Sequence, residues 1–270
     1  MRIVNLASGS KANSTFLGYD NTKILIDVGL TETKLENELN QIGENLKNIN
    51  AVLITHEHID HIRSLSMIAK KHNIQIYVHK RLAESAAFAK YAVPNEKLHT
   101  FDENSFCIGS LEIMPFEISH DAIAPVGFVV HVCESSAKVG FATDLGIVTE
   151  KVKEALFGTK MVFLEANHDE NMLAGGRYPK IVKERIAGPY GHLSNKQSLA
   201  LADFLFDGGT KCFVLSHLSE NNNTIEKAYS YFADHFEARG LKLDNDVFLR
   251  VSFQDKHGNN FILKEEFDGK

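Results

Sequence analysis

The 270-residue chain has no tryptophan, five prolines and three cysteines. Cys107, Cys133 and Cys212 are odd in number and lack Cys-x-x-Cys spacing. That excludes a disulfide framework and a cysteine zinc site, and reads as buried thiols of a reducing compartment. No run of about 18 apolar residues is present, so a transmembrane helix is excluded and no membrane partner is expected. The opening MRIVNLASGSKANS has no apolar core of signal-peptide type, and the expected location is the cytoplasm. A basic excess is missing too: Lys plus Arg is 29 against 35 Asp plus Glu, a formal charge of −6. A polyanion such as nucleic acid therefore has to be held by a local patch. Low-complexity tracts, internal repeats and Gly/Ser linkers are absent, so residues 1–270 read as one domain, and nothing points to a stable protein partner. A hydrophobic share of 44% and a charged share of 24% exclude intrinsic disorder. What the chain has in plenty is histidine, 13 residues, which prompts a search for metal ligands.

Hydrophobic patterning gives βα units first and a strand-rich middle. RIVNL and TFLGY read as strands around a polar Gly/Ser loop, and KILIDVG as a β-branched strand ending at Asp27. Residues 31–42 set Leu35, Leu39 and Ile42 at helical spacing, with Gly43 as the stop. INAVLITH is apolar nearly throughout, a buried strand. Residues 62–71 and 81–89 read as helices on either side of the strand IQIYVH. SFCIGSLEIMPFEIS, PVGFVVHVCES and KVGFATD read as antiparallel strands with Gly- and Ser-containing turns, followed by the strand MVFLEAN. Residues 171–192 form a polar, Gly-rich stretch, a solvated loop or helix face. Ser194 caps a helix running to Phe206, KCFVLSHLS is a buried strand, and residues 224–239 form a helix closed by Gly240. DVFLRVSF and NNFILKE end the chain as strands. This order predicts an α/β fold (α+β in some schemes): two sheets face to face with helices outside, a four-layer αββα sandwich.

After the strand AVLIT come His56, Glu57, His58, Ile59, Asp60 and His61. Clustered imidazoles repel when protonated and need partners when buried. A divalent cation resolves both difficulties, because imidazole and carboxylate are good ligands for Zn, Mn or Fe. In an extended turn His56 and His58 point one way, leaving Asp60 and His61 free for a second ion.

The segment THEHIDH resembles the signature of the metallo-β-lactamase fold superfamily. The superfamily's other stations stand in order around it: Asp27 closing KILIDVG, His120 in EISHD, Asp144 in GFATDLG and His217 in VLSHLS. Singly these residues say little; their order and their places at strand ends carry the inference. The resemblance implies the superfamily's αββα fold and two divalent ions, Zn, Mn or Fe. It puts His56, His58 and His120 on one ion and Asp60, His61 and His217 on the other. Asp144 bridges the two, and Asp27 steadies the site through hydrogen bonds. His72, His79, His99, His131, His235 and His257 match no motif and read as structural or surface residues.

Paired ions imply attack by a bridging hydroxide at neutral pH, with no Ser or Cys nucleophile. The β-lactamase branch commonly has Cys where Asp144 stands, so a carboxylate there favours diester or thioester hydrolysis over antibiotic hydrolysis. Glu165 in LEANHD and His192 in YGHLSN resemble the Glu- and His-bearing loops of ribonuclease Z, which together protonate the leaving group. On that resemblance the catalytic set is Asp60, Glu165 and His192, with His192 the general acid and Glu165 its orienter. The whole pattern, from SGSKANS to LSHLS, resembles the YycJ/WalJ-type branch, with Ala12 where Gly is expected. That resemblance implies a 5′-to-3′ DNA exonuclease with DNA as partner. An inserted β-CASP domain is missing, which sets the chain apart from the ribonuclease J type. Ser8, Ser10, Lys11 and Asn13 in the first loop, with Ser194 and Asn195, are candidates for holding phosphate. Arg177, Lys180, Lys183 and Arg185 oppose only Glu184 in a candidate basic patch, and Tyr178 and Tyr190 there read as packing residues. Two alternatives compete: a thioesterase of glyoxalase II type, and a non-catalytic metal-binding module.

Overall fold

The computed structural model describes residues 1–133, 135 and 137–263. The first half of the chain supplies β1 (Arg2–Ala7), β2 (Ser14–Tyr19), β3 (Thr22–Ile26), α1 (Glu32–Gln41), β4 (Ala51–Leu53), α2 (Ile59–Ile62), α3 (Leu65–Lys71), β5 (Gln75–His79), α4 (Lys80–Ala83), α5 (Ala86–Ala89) and β6 (Leu98–Phe101). The second half supplies β7 (Phe106–Ile108), β8 (Leu111–Glu117), β9 (Val126–Val132), β10 (Lys138–Ala142), α6 (Glu150–Leu156), β11 (Met161–Glu165), α7 (Glu170–Gly175), α8 (Lys180–Ile186), α9 (Asn195–Asp207), β12 (Cys212–Ser216), α10 (Ile225–Ala238), β13 (Phe248–Val251) and β14 (Asn260–Ile262). Two mixed seven-stranded sheets result, ordered β14-β1-β2-β3-β4-β5-β6 and β13-β12-β11-β10-β9-β8-β7. In the first sheet β1 to β3 are antiparallel and β3 to β6 parallel; in the second, β7 to β10 are antiparallel and β10 to β13 parallel.

Three apolar layers hold these parts together. Ile24, Leu53, Phe128, Phe141, Phe163 and Phe261 meet between the sheets. Leu35, Leu39, Leu65 and Ile68 lay the first set of helices on the outer face of the first sheet. Leu201, Leu205, Phe232 and Phe236 do the same for the second. Each such side chain, fully buried, contributes about 1.5–3 kcal/mol. The αββα sandwich is therefore the observed architecture.

Local differences from the sequence reading have physical causes. INAVLITH leaves its ladder early, because the Thr55 N–H donates to the Asp27 carboxylate rather than to a neighbouring strand. The helix read at 81–89 is interrupted at Ser85, whose hydroxyl accepts from Phe88 N and starts α5 afresh. Helix α2 precedes the helix read at 62–71, which itself begins only at Leu65. The polar, Gly-rich stretch 171–192 contains two helices: Asp169 caps α7 and Pro179 opens α8, a helix with no buried residue and hence no apolar stripe to betray it. β6 and α6 went unread. Cys212 is buried as expected, but Cys107, on edge strand β7, and Cys133, just past the end of β9, are exposed. Glu134 in PVGFVVHVCES and Lys264 and Glu265 in NNFILKE lie outside the described residues.

Candidate metal centre

The centre forms where the carboxyl ends of strands from both sheets meet. Asp27 follows β3; His56, His58, Asp60 and His61 follow β4; His120, Asp144 and His217 follow β8, β10 and β12; and Glu165 closes β11. Asp27, Asp144 and His217 all take left-handed backbone, with φ of 60°, 60° and 56°. For a residue other than glycine that costs about 1–2 kcal/mol. Ligand atoms of His56, His58 and His120 lie within 4.8 Å of one another, as do those of Asp60, His61 and His217. Asp144 stands between the groups, with Oδ2 3.3 Å from His61 Nε2 and Oδ1 3.4 Å from His217 Nε2 and 3.8 Å from His120 Nε2.

Most of these histidines have their other nitrogen tied off. Nδ1 of His56 meets Thr55 Oγ1 at 3.0 Å, and Nδ1 of His61 meets Asp27 Oδ2 at 2.7 Å. Nδ1 of His217 meets Glu165 Oε1 at 3.0 Å, and Nδ1 of His120 meets the Gly191 carbonyl at 3.2 Å. An Nδ1–H held this way leaves Nε2 with its lone pair for a cation. His58 is turned the other way, its Nδ1 3.3 Å from His120 Nε2. Nε2 of His56, Nε2 of His217 and Oδ2 of Asp144 are buried with no hydrogen-bond partner. A buried polar atom left so costs about 1–3 kcal/mol. Divalent cations would satisfy all three, and the imidazole and carboxylate donors suit Zn, Mn or Fe.

The electrostatics agree with that fit. Burial, aided by the charge on His61, pushes His56 well below the ordinary histidine value, so it stays neutral. Burial also lowers His120. Burial opposes charge on His61 and His217 as well, but the surrounding carboxylates together outweigh it: Asp144, Asp27 and Asp60 raise His61 well above the ordinary value, and Asp144, Glu165 and Asp60 bring His217 up to about 9. Asp60 and Glu165 are buried too, yet His61 beside the first and His192 beside the second hold both below the usual carboxylate range. Protons on His61 and His217 thus balance buried acid. A divalent cation would take over that balance and release them.

Glu165 is fully buried and each oxygen is used twice. Oε1 lies 2.8 Å from His192 Nδ1 and 3.0 Å from His217 Nδ1. Oε2 accepts from Leu145 N at 2.7 Å and Leu193 N at 3.2 Å. One carboxylate therefore orients His192 and a candidate ligand together, a link the sequence reading missed. His192 is partly exposed and lines a cavity of about 180 Å³ with His58, Asp60, His120, Asp144 and His217.

Of the six candidate phosphate-holding residues, Ser10 alone lines that cavity. Ser8 Oγ accepts from His217 N, and Asn13 Nδ2 donates to Asp60 Oδ2 and lies 3.0 Å from His61 Nε2. Lys11 pairs with Glu220 at 2.6 Å. Ser194 caps α9 in a capping box with Gln197, and Asn195 bonds Asn223. Ser8 and Asn13 thus serve the ligand loops from behind. Ala12 is buried without left-handed backbone, so that position does not require glycine.

Two further residues at the site also escaped the sequence reading. Thr55 joins Asp27, His56 and His61 through one hydroxyl. Asp121 Oδ1 lies 3.5 Å from His120 Nε2, while its Oδ2 accepts from Arg185 Nε at 2.8 Å. Its position directly after His120 was the available signal.

Residues 22–217 match the model of the beta-lactamase superfamily domain. The chain belongs to the beta-lactamase superfamily. This superfamily member is 34% identical over 240 residues to exodeoxyribonuclease YycJ of Bacillus anthracis, covering 87% of the chain and 89% of the relative. It is 32% identical over 227 residues to exodeoxyribonuclease WalJ of Streptococcus pneumoniae, covering 83% and 84%. Among solved structures it resembles the metallo-β-lactamase fold protein YhfI from Bacillus subtilis, with a TM-score of 0.70 at 11% identity, covering 95% of the chain and 98% of YhfI. It also resembles human tRNase Z, short form, with a TM-score of 0.65 at 16% identity, covering 97% and 100%. The superfamily member's fold is thus the metallo-β-lactamase fold.

Proposed function

We propose that the protein is a two-metal phosphodiesterase, a DNA exonuclease working from the 5′ end. The observation that carries this reading is the Glu165–His192 pair at 2.8 Å beside the ligand cluster. The relatives named exodeoxyribonuclease support it.

His56, His58 and His120 would hold one ion, and Asp60, His61 and His217 the other, with Asp144 between them. Ions held there would supply a hydroxide nucleophile at neutral pH and neutralise charge on the phosphoryl oxygens. The alkoxide leaving a phosphodiester is a poor leaving group and needs a proton. With Nδ1 held by buried Glu165, His192 keeps Nε2 for that task. Asp27 and Thr55 fix His61, and Glu165 fixes His217, so the same buried acids hold ligands and acid in register. Arg185 of α8 lines the same cavity, its Nε donating to Asp121.

The test is digestion of 5′-labelled and 3′-labelled DNA duplexes by protein supplied with Mn²⁺, with Asp144→Asn as control. Stepwise shortening from the 5′ end, absent in the variant, is the expected result. Failure to cut DNA by protein holding two ions sinks the reading. A thioesterase would release thiol from a thioester, but a thiolate leaves without a proton and gives His192 no role. The location read from the sequence, the cytoplasm, stays part of this proposal. No helix among the described residues is long and apolar enough to cross a membrane.

A further inference from the structure

Among the described residues that line the metal cavity, Arg185 is the only lysine or arginine. The neighbouring cations are engaged or lie elsewhere. Lys180 stands 3.5 Å from Glu184, Lys183 Nζ donates to the Ala174 carbonyl, and Arg177 does not reach the cavity. Arg185 Nε and Nη2 both donate to Asp121 Oδ2. That spends two of its five N–H groups on one oxygen and leaves three, on a side chain 69% exposed. Asp121 thus holds the guanidinium without saturating it. A planar fork held in this way matches a phosphate group.

The fold does not depend on this ion pair. Ser119 Oγ donates to the Pro189 carbonyl, Asp121 N donates to the Tyr190 carbonyl at 3.2 Å, and His120 Nδ1 meets the Gly191 carbonyl at 3.2 Å. Those bonds already clip residues 189–191 to residues 119–121, and an exposed ion pair adds little to them. The place of Arg185 is more telling. His192 N donates to the Ile186 carbonyl at 2.8 Å, and a Cβ on Gly191 would lie 2.2 Å from the carbonyl oxygens of Arg185 and Ile186. The chain therefore turns back hard against the end of α8, and Arg185 shares one wall with the general acid. In a cut from the 5′ end, hydroxide adds to phosphorus and the bond to the 3′ oxygen of the terminal nucleotide breaks. That oxygen takes the proton from His192 Nε2. The departing nucleotide thus lies on the His192 side, and the only other phosphate it carries is its own 5′-phosphate.

We propose that Arg185, held by Asp121, is the subsite for the 5′-terminal phosphate, so that the enzyme reads phosphorylated ends. The assignment rests on the nuclease reading and goes further. A terminal phosphate carries roughly two negative charges, against one on an internal diester, and so answers the single guanidinium of the cavity best. Each cut leaves a new 5′-phosphate on the shortened strand. The group that Arg185 needs for one cycle is therefore made by the cycle before.

The test compares one DNA strand with a 5′-phosphate or a 5′-hydroxyl end, cut by Mn²⁺-loaded protein. For wild type, KM for the phosphorylated end should be lower by about tenfold or more. On the hydroxyl strand only the first nucleotide should be slow, giving a lag, and later steps should match the phosphorylated strand. Arg185→Gln should abolish both the KM ratio and the lag. Arg185→Lys, which keeps the charge without the fork, should restore part of the ratio. An arginine that merely tied α8 to the ligand loop would slow both ends alike and leave the ratio standing. Equal KM for the two ends in wild type, a ratio that survives in Arg185→Gln, or loss of metal from that variant on dialysis would each overturn the assignment and leave the nuclease reading intact. Loaded wild type that cuts neither strand would overturn the nuclease reading and this subsite together.

Discussion

Glu165→Gln is the most informative single change, because it keeps shape and removes one charge. Glu165 Oε2 accepts two backbone N–H groups, so the glutamine oxygen must face Leu145 and Leu193. Its NH₂ then meets Nδ1 of both His192 and His217, where Oε1 accepts in the native protein. Both imidazoles must move their proton to Nε2, and in His217 that is the nitrogen facing Asp144. Reversing the amide only transfers the conflict to the two backbone donors. Two charge-assisted hydrogen bonds at about 1.5–3 kcal/mol each bound the loss at roughly 3–6 kcal/mol, shared among stability, metal affinity and catalysis. Loss of an orienting partner typically weakens metal affinity by about 10–100-fold. The assay is metal content after dialysis against a weak chelator, alongside DNA cleavage. The variant should lose an ion and fall at least about 100-fold in rate. Full metal content and a rate within about threefold of wild type would refute the shared-carboxylate argument.

His192→Ala should keep its metal content and lose about 10²–10⁴-fold on DNA, but far less on a p-nitrophenyl diester, whose leaving group needs no proton. Loss of metal instead would show that His192 is a ligand. Gly29→Ala would set a Cβ 1.5 Å from the Asp60 carbonyl oxygen and 2.8 Å from Asn13 N. Backbone cannot yield there as a side chain can, so destabilisation by about 3 kcal/mol or more is expected in urea unfolding, and a wild-type midpoint would contradict the packing. Stability of the chelated protein should depend on pH above 6.5. His217 is raised from 6.5 to about 9, so its contribution is complete below 6.5 and is lost as pH rises through about 9. That difference corresponds to about 3 kcal/mol, and the metal-loaded protein, with no such proton to lose, should show a flatter profile in the same urea titrations.

The sandwich and the ligand cluster were legible because each has a local signature. Strands at β1 to β5 and β8 to β12 show as apolar runs, and THEHIDH packs four donors into six residues. Ser194 was readable as a cap because capping chemistry is local. What escaped depends on distance in sequence. Thr55 is an ordinary strand residue until Asp27, 28 positions away, meets its hydroxyl. Glu165 was read as serving His192, but its hold on His217 appears only when β11 and β12 pair side by side. Asp27, Asp144 and His217 give no hint of left-handed backbone, because that strain is imposed by the meeting of the sheets. Helix α8 failed to show for the opposite reason: none of its residues is fully buried, so no burial pattern marks it.

The pairing of β14 with β1 has a consequence for shortened chains. β14 arrives last, lies antiparallel along Arg2, Ile3 and Val4, and sets Phe261 between the sheets, while the Met1 amine donates to the Leu263 carbonyl at 2.7 Å. Every residue of the metal cluster precedes it. A chain cut before Asn260 would retain the full set of donors but leave one side of β1 as a row of unpaired N–H and C=O groups. Such an edge is a template for another copy. Its failing would be stacking into insoluble assemblies, with the chemistry still encoded in each molecule.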